Sequence, residues 1–113
     1  PRTTHAAHLG EGYQGNPTPA PIEDANIISS NASDGSGKHY PVLDLDFPVT
    51  LVPSSTPGHF HLYLDRPVDE GSYWKLCDAL AEAGLLEPGY VSACKERGYT
   101  SVRLPWVKKG GTQ

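Results

Sequence analysis

Cysteine is scarce in this 113-residue chain, which contains only Cys77 and Cys94. Two cysteines are too few for the disulfide framework that stabilises small secreted domains. Both fall in segments whose apolar spacing predicts helices, so we expect them to pack as small, reduced core residues. The chain also has no run of about 18 apolar residues, the length that a membrane-spanning helix needs, and no apolar leader near its start. These absences predict a protein of the reducing cytoplasm that does not enter a membrane.

Apolar residues and basic charge are also in short supply. Hydrophobic residues make up 37% of the chain, below the roughly 45–50% of globular domains, so we expect a small core and many loops. The net charge of −4 argues against a general nucleic-acid coat. The segment from Arg97 onward carries Arg97, Arg103, Lys108 and Lys109 and no acidic residue. The composition therefore permits at most one local phosphate-binding patch.

The chain divides, on its sequence pattern, into an arm and a domain. Residues 1–24 are rich in glycine and proline and show no apolar periodicity. We expect them to form an extended N-terminal arm that is ordered only against the body or a partner. Residues 25–113 hold most of the apolar residues and are predicted to form a single domain.

Alternation with period two predicts strands in the first half of this domain. Residues 40–47 (YPVLDLDF) alternate so that Asp44 and Asp46 share one face. Residues 59–65 (HFHLYLD) alternate so that the apolar residues face the core, while the opposite face carries His59, His61, Tyr63 and Asp65. Shorter strands are predicted at residues 27–30, 49–52 and 100–104.

The apolar period then changes to that of a helix. A first amphipathic helix is predicted between Asp69, a suitable N-cap, and Gly84, a suitable C-terminal stop. A second is predicted from Pro88 to Arg97, ended by Gly98. This order predicts an α+β fold, a small antiparallel or mixed sheet with two helices packed on one face. The other face would then carry the Asp and His side chains.

That face gathers residues able to bind metals and phosphates: Asp44, Asp46, His59, His61 and Asp65. Neighbouring carboxylates repel each other unless they are solvated or a cation neutralises them, and Mg²⁺ and Mn²⁺ prefer such oxygen ligands. Imidazoles ligate softer metals, contact phosphates or transfer protons. Arg103, on the predicted last strand, is a surface cation or a phosphate contact. An ordinary solvated sheet face explains the same residues without a ligand, and this alternative stays open.

Two of these segments, Leu43-Asp44-Leu45-Asp46 and Thr56-Pro57-Gly58-His59-Phe60-His61-Leu62-Tyr63, resemble the core motifs of archaeo-eukaryotic primases, in the style of bifunctional primase–polymerase domains. The resemblance implies that Asp44 and Asp46 ligate metal ions and that His61 contacts the phosphates of a nucleotide. It covers about a fifth of the chain. The family's third acidic motif is replaced here by a strand with Arg103, so the resemblance implies binding without polymerisation.

As a whole, and including its closing residues 103–109 (RLPWVKK), the chain is similar to small proteins encoded by phages of actinobacteria. This second resemblance implies expression in a bacterial host cytoplasm and implies no particular activity.

Three functional hypotheses follow. The first is metal-dependent nucleotide or nucleic-acid binding, with Mg²⁺ or Mn²⁺ on Asp44, Asp46 and Asp65 and with phosphate on His61, His59 and Arg103. The second is a non-catalytic phage accessory protein that binds a host or phage protein, or a second copy of itself, through the arm. The third is a small hydrolase with Zn²⁺ held by His59, His61 and Asp65 together with Asp44 or Asp46. The sequence names no catalytic residue.

Overall fold

The structure is a computed structural model that describes residues 4–10, 17–104 and 106. It divides into two compact units, Pro1–Leu45 and Asp46–Gln113. Small antiparallel sheets and two helices confirm the predicted α+β class. The longer helix has 13 residues, and no helix in the described residues has the length and apolar character to cross a bilayer.

The first unit is a three-stranded antiparallel sheet in the order β2-β1-β3. Its strands are β1 (His5–Leu9), β2 (Thr18–Pro19) and β3 (Ile27–Ala32). The Asn26 side chain ties the end of β1 to the start of β3, because its amide oxygen accepts from the Gly10 N–H at 3.0 Å and its amide nitrogen donates to the Gly10 carbonyl at 2.7 Å. The predicted strand at residues 27–30 is therefore confirmed as part of β3.

The second unit begins with a hairpin of β4 (Val49–Pro53) and β5 (Phe60–Leu64), which pair antiparallel. Both strands were predicted, and residues 54–58 connect them. Gly58 has a φ of 80°, in the left-handed region that glycine adopts at little cost. This glycine lets the chain turn back into β5.

The helices of this unit are α1 (Glu70–Glu82) and α2 (Pro88–Arg97), close to their predicted bounds. Asp69 is the N-cap residue of α1, although its side chain makes no capping hydrogen bond. Gly98, with a φ of 92°, ends α2 in the left-handed conformation. Pro88 at the start of α2, and Gly84 and Gly98 after the two helices, thus set the helix bounds, as the sequence predicts.

The helices pack on each other through small buried residues, namely Cys77 on α1 with Val91 and Cys94 on α2. Both thiols are free, as predicted. The Lys95 ammonium also pairs with the Asp78 carboxylate at 2.7 Å across the two helices. The pair therefore holds its own core.

Two predicted strands are absent from the structure. Residues 40–47 form no strand; only His39 makes an isolated bridge, to Asn31. Residues 100–104 form no strand either. In both cases alternation exists in the sequence but no partner strand supplies the ladder hydrogen bonds. Within the predicted arm, residues 5–9 and 18–19 are strands, and β1 pairs with β3 of the predicted body.

The position of the helices also differs from the prediction. Within the second unit, α1 and α2 contact each other, and their described residues make no close backbone contact with β4 or β5. The apolar side chains of the hairpin, predicted to face a core beneath the helices, are consequently exposed. This difference defines the candidate functional site.

Candidate functional site

The register of the hairpin fixes which side chains share a face. Val49 lies opposite Leu64, Leu51 opposite Leu62, and Pro53 opposite Phe60. The alternate pairs are Thr50 with Tyr63 and Val52 with His61. Because successive side chains of a strand point to opposite faces, the hairpin has one wholly apolar face and one mixed face.

The apolar face consists of six exposed residues: Val49, Leu51, Pro53, Phe60, Leu62 and Leu64. Leu51 is 62% exposed, and Phe60 and Leu62 are each 58% exposed. Together these side chains present roughly 500 Å² of apolar surface, a size at which a patch on a small protein is often functional. No charged residue interrupts it.

The mixed face carries the predicted histidines. His61 is half-buried beside Val52, and its Nδ1 atom is buried without a hydrogen-bond partner. His59 precedes β5 and Asp65 follows it; both are exposed. The structure therefore places His61 on β5, with His59 and Asp65 directly beyond the two ends of the strand.

The loop before β5 is closed by hydrogen bonds of its own. The Ser54 N–H donates to the His59 carbonyl at 2.9 Å, and the His59 N–H donates to the Thr56 carbonyl at 3.0 Å. The Ser54 hydroxyl accepts from the Thr56 N–H at 3.0 Å. These polar groups of the loop are thus engaged within the loop.

The outer edges of the two strands differ. The Asp65 N–H donates to the Pro48 carbonyl, and the Ser54 N–H donates to the His59 carbonyl. Since hydrogen-bonded pairs alternate along an antiparallel ladder, the backbone groups of residues 60, 62 and 64 point away from β4. In the part of the chain that the structure describes, β4 is the one strand beside β5, so this edge of β5 is bare.

The corresponding edge of β4 is protected at one of its three outward-pointing positions. Pro53 has no N–H to offer there, whereas Val49 and Leu51 keep theirs. Prolines on an edge strand discourage pairing with another chain. Residues 60–64 of β5 contain no proline and no Asp, Glu, Lys or Arg. The hairpin therefore has one protected edge and one open edge.

The aspartates of the predicted metal site lie outside any strand. Asp44 belongs to the first unit and Asp46 to the second. The Asp46 carboxylate pairs with the Arg66 guanidinium at 3.5 Å, and that guanidinium lies 4.8 Å from the centre of the Phe47 ring. Arg66 was not among the predicted site residues; its position two residues after the end of β5 was the available signal. The cation that neutralises Asp46 in this structure is Arg66.

Arg103 is exposed and lies outside the helices and strands, so its predicted place on a last strand is wrong. In neither unit do the described residues bring together three His, Cys, Asp or Glu side chains that could hold a metal ion. The Lys108-Lys109 tail lies outside the described residues. Of the predicted site residues, His61 is the one that lies on a strand within the described residues.

A second polar cluster lies where the chain leaves α2. The Tyr73 hydroxyl hydrogen-bonds with the Thr100 hydroxyl and accepts from the Thr100 N–H at 3.1 Å, while the Tyr90 hydroxyl donates to the Ser101 carbonyl at 3.0 Å. Burial, aided by the Cys94 side chain, raises the pKa of Tyr90. These bonds hold residues 100–101 on the helix pair, and we assign the cluster a structural role.

Comparison with known proteins gives no family: no protein-family model, curated protein or solved structure matches the chain.

Proposed function

We propose that this protein acts by binding another protein chain through the apolar face of the β4–β5 hairpin, without a catalytic role. The observation that carries the proposal is the exposure of all six apolar side chains on that face. A contiguous apolar patch of roughly 500 Å² is as large as the largest patch of a typical monomer, and such patches are often functional. A partner bound there supplies the cover that α1 and α2 do not provide.

The stability of the hairpin supports the same proposal. A two-stranded hairpin alone is marginal in water and needs a third strand or a packed helix. Within the second unit neither is close to β4 or β5. Covering roughly 500 Å² of apolar surface contributes about 12 kcal/mol before the cost of association, which is about 4–15 kcal/mol. The face is thus large enough for a weak or regulated contact.

A photo-cross-linking residue in place of Leu51 tests the proposal in cells that express the chain. We expect one discrete cross-linked product, identified by mass spectrometry, that is lost when Leu64→Lys is added on the same face. The matched control carries the cross-linker in place of Thr50, on the opposite face of the same strand, and should give no such product. A smear without a discrete product, or the same product from both positions, overturns the proposal.

A second candidate function, metal-dependent nucleotide or nucleic-acid binding, is favoured by one observation. Residues 56–59 end a loop and residues 60–64 form a strand, which is the arrangement that the primase resemblance implies for the nucleotide-contacting His61. Under this proposal Asp44, Asp46 and Asp65 hold Mg²⁺ or Mn²⁺, and His59, His61 and Arg103 contact phosphates. The loss of the predicted strand at residues 40–47 removes the support that a shared face gave to Asp44 and Asp46.

Thermal unfolding with each of Mg²⁺, Mn²⁺ and Zn²⁺, with and without nucleoside triphosphates, tests this second function. A ligand at about 100 times its dissociation constant stabilises the native state by roughly 2.7 kcal/mol. A shift that needs both metal and nucleotide, and that His61→Ala abolishes, supports nucleotide binding. A shift with Zn²⁺ alone supports the hydrolase hypothesis instead, and the absence of any shift rejects both.

A further inference from the structure

The open edge of β5 is a second feature of the hairpin, distinct from its apolar face. Residues 60, 62 and 64 point their N–H and C=O groups outward, and no proline or charge within β5 prevents a further strand from pairing there. The edge of β4 is protected at Pro53, which has no outward N–H. An edge left open beside a protected one indicates where another strand pairs.

The sequence around this edge is complementary to itself when read in the opposite direction. Centred on Leu62, the antiparallel pairing of residues 59–65 with an identical segment sets His59 opposite Asp65, Phe60 opposite Leu64, and His61 opposite Tyr63. We propose that β5 pairs antiparallel with β5 of a second copy of this chain, about a two-fold axis through Leu62. This proposal concerns the edge of the hairpin and stands independently of a partner on its apolar face.

Backbone geometry selects this register. Pairing about Leu62 sets the outward-pointing residues 60, 62 and 64 opposite those of the second copy, which gives about six hydrogen bonds. If the register shifts by two residues, one of residues 60, 62 and 64 lies opposite a residue outside β5. That residue is Gly58 for a shift in one direction and Arg66 for a shift in the other. The two-fold register therefore uses the whole edge, as an isologous contact requires.

Side-chain chemistry selects the same register. His59 and Asp65 are both exposed at the ends of β5, and in the pairing about Leu62 each faces the other twice. An imidazole N–H donates to a carboxylate in either protonation state of the ring. Aromatic and aliphatic side chains fill the pairs between them, which are favoured cross-strand neighbours. No like charges face each other.

Self-pairing through β5 also stabilises the hairpin, which is marginally stable as two strands alone. Two hairpins joined through β5 form a four-stranded sheet in the order β4-β5-β5-β4, which exceeds the three strands needed for independent stability. Their apolar faces lie on the same side and combine to roughly 1,000 Å². The self-paired sheet thus presents a surface of the size that specific protein interfaces bury.

Disulfide trapping tests the register directly. We expect Leu62→Cys to form a disulfide-linked dimer under mild oxidation, because the two introduced thiols face each other at the axis. Leu51→Cys, on the same face but on the protected strand, is the matched control and should remain monomeric. Cys77 and Cys94 are buried and do not interfere. Equal cross-linking of both variants, or of neither, overturns the proposal.

A charge exchange tests the proposal without cysteines. In sedimentation equilibrium we expect a dimer for the parent chain and at least a tenfold weaker dimer for His59→Asp, whose new carboxylate faces Asp65 of the second copy. Adding Asp65→Lys to His59→Asp should restore the affinity. A parent chain that is monomeric at high micromolar concentration, or a double variant as weak as the single one, rejects self-pairing. If the apolar face of the hairpin binds no partner, the results of the disulfide and charge-exchange experiments do not change. The two proposals can therefore fail separately.

Discussion

The helix pair and the hairpin belong to the same unit, yet they are stabilised in different ways. The helices bury Cys77, Val91 and Cys94 between them and add side-chain hydrogen bonds at their ends. The hairpin buries no residue of β4 or β5 and exposes a wholly apolar face. The helix pair therefore covers its own apolar residues, whereas the hairpin leaves its apolar face uncovered. The proposed interaction rests on this difference.

The same aspartate substitution in both regions gives the largest expected effect. Val91→Asp places a charge at a position that is 4% exposed. We expect a loss of more than about 3 kcal/mol in the free energy of unfolding. Leu51→Asp, at a 62% exposed position, should cost less than about 0.5 kcal/mol in the isolated chain. Urea denaturation followed by circular dichroism measures the free energy of unfolding of both variants. Similar losses would contradict the difference in burial between the helix pair and the hairpin.

The polar cluster beside the helices gives the next largest effect. Tyr73→Phe removes the hydrogen bonds with the hydroxyl and the N–H of Thr100. Part-buried groups left without partners cost about 1–3 kcal/mol, so we expect a loss in that range. Tyr63→Phe on the hairpin, whose hydroxyl has no hydrogen-bond partner in the described residues, is the control and should unfold like the parent. Thermal unfolding distinguishes them, and equal midpoints would reject a stabilising role for the cluster.

The glycine that ends α2 gives a smaller effect with a defined sign. Gly98 has a φ of 92°, and a Cβ there would meet nothing within 4 Å, so Gly98→Ala has only a conformational cost of about 1–2 kcal/mol. Gly71→Ala, within α1 and equally unobstructed, should be neutral or stabilise by up to about 1 kcal/mol. Denaturant midpoints that move in the same direction for both variants would contradict this account of the helix end.

The difference between the helix pair and the hairpin also explains which features of the fold were predictable from sequence. Both helices follow from local signals, since Pro88, Gly84 and Gly98 act on their own neighbours in the chain. β5 was predicted because its alternation is long and Gly58 starts it. Residues 40–47 alternate equally well, yet strand formation needs a partner, and sequence alternation does not identify one.

The candidate site was predictable only in part for the same reason. That His59, His61 and Asp65 share a face follows from alternation alone. Whether Leu51 and Leu62 are covered depends on where the helices dock, which is a property of tertiary packing. The ion pair of Asp46 with Arg66 joins residues 20 positions apart, and no local pattern indicates it. The bare edge of β5 could be inferred only once the ladder alternation was known.

The smallest expected effect is a dependence on alkaline pH that belongs to the helix pair. Burial, with a contribution from the Cys94 side chain, raises the pKa of Tyr90 above the value of about 10 expected in the unfolded chain. The folded state therefore holds this proton more tightly, and the free energy of unfolding should fall as the pH rises from about 10 through the folded pKa. In Tyr90→Phe that fall should be shallower. The difference between the two proteins at pH 7 measures the lost hydrogen bond to Ser101 separately. Parallel pH profiles for the two proteins would show that the raised pKa of Tyr90 does not contribute, and would remove this alkaline sensitivity from the properties that distinguish the helix pair from the hairpin.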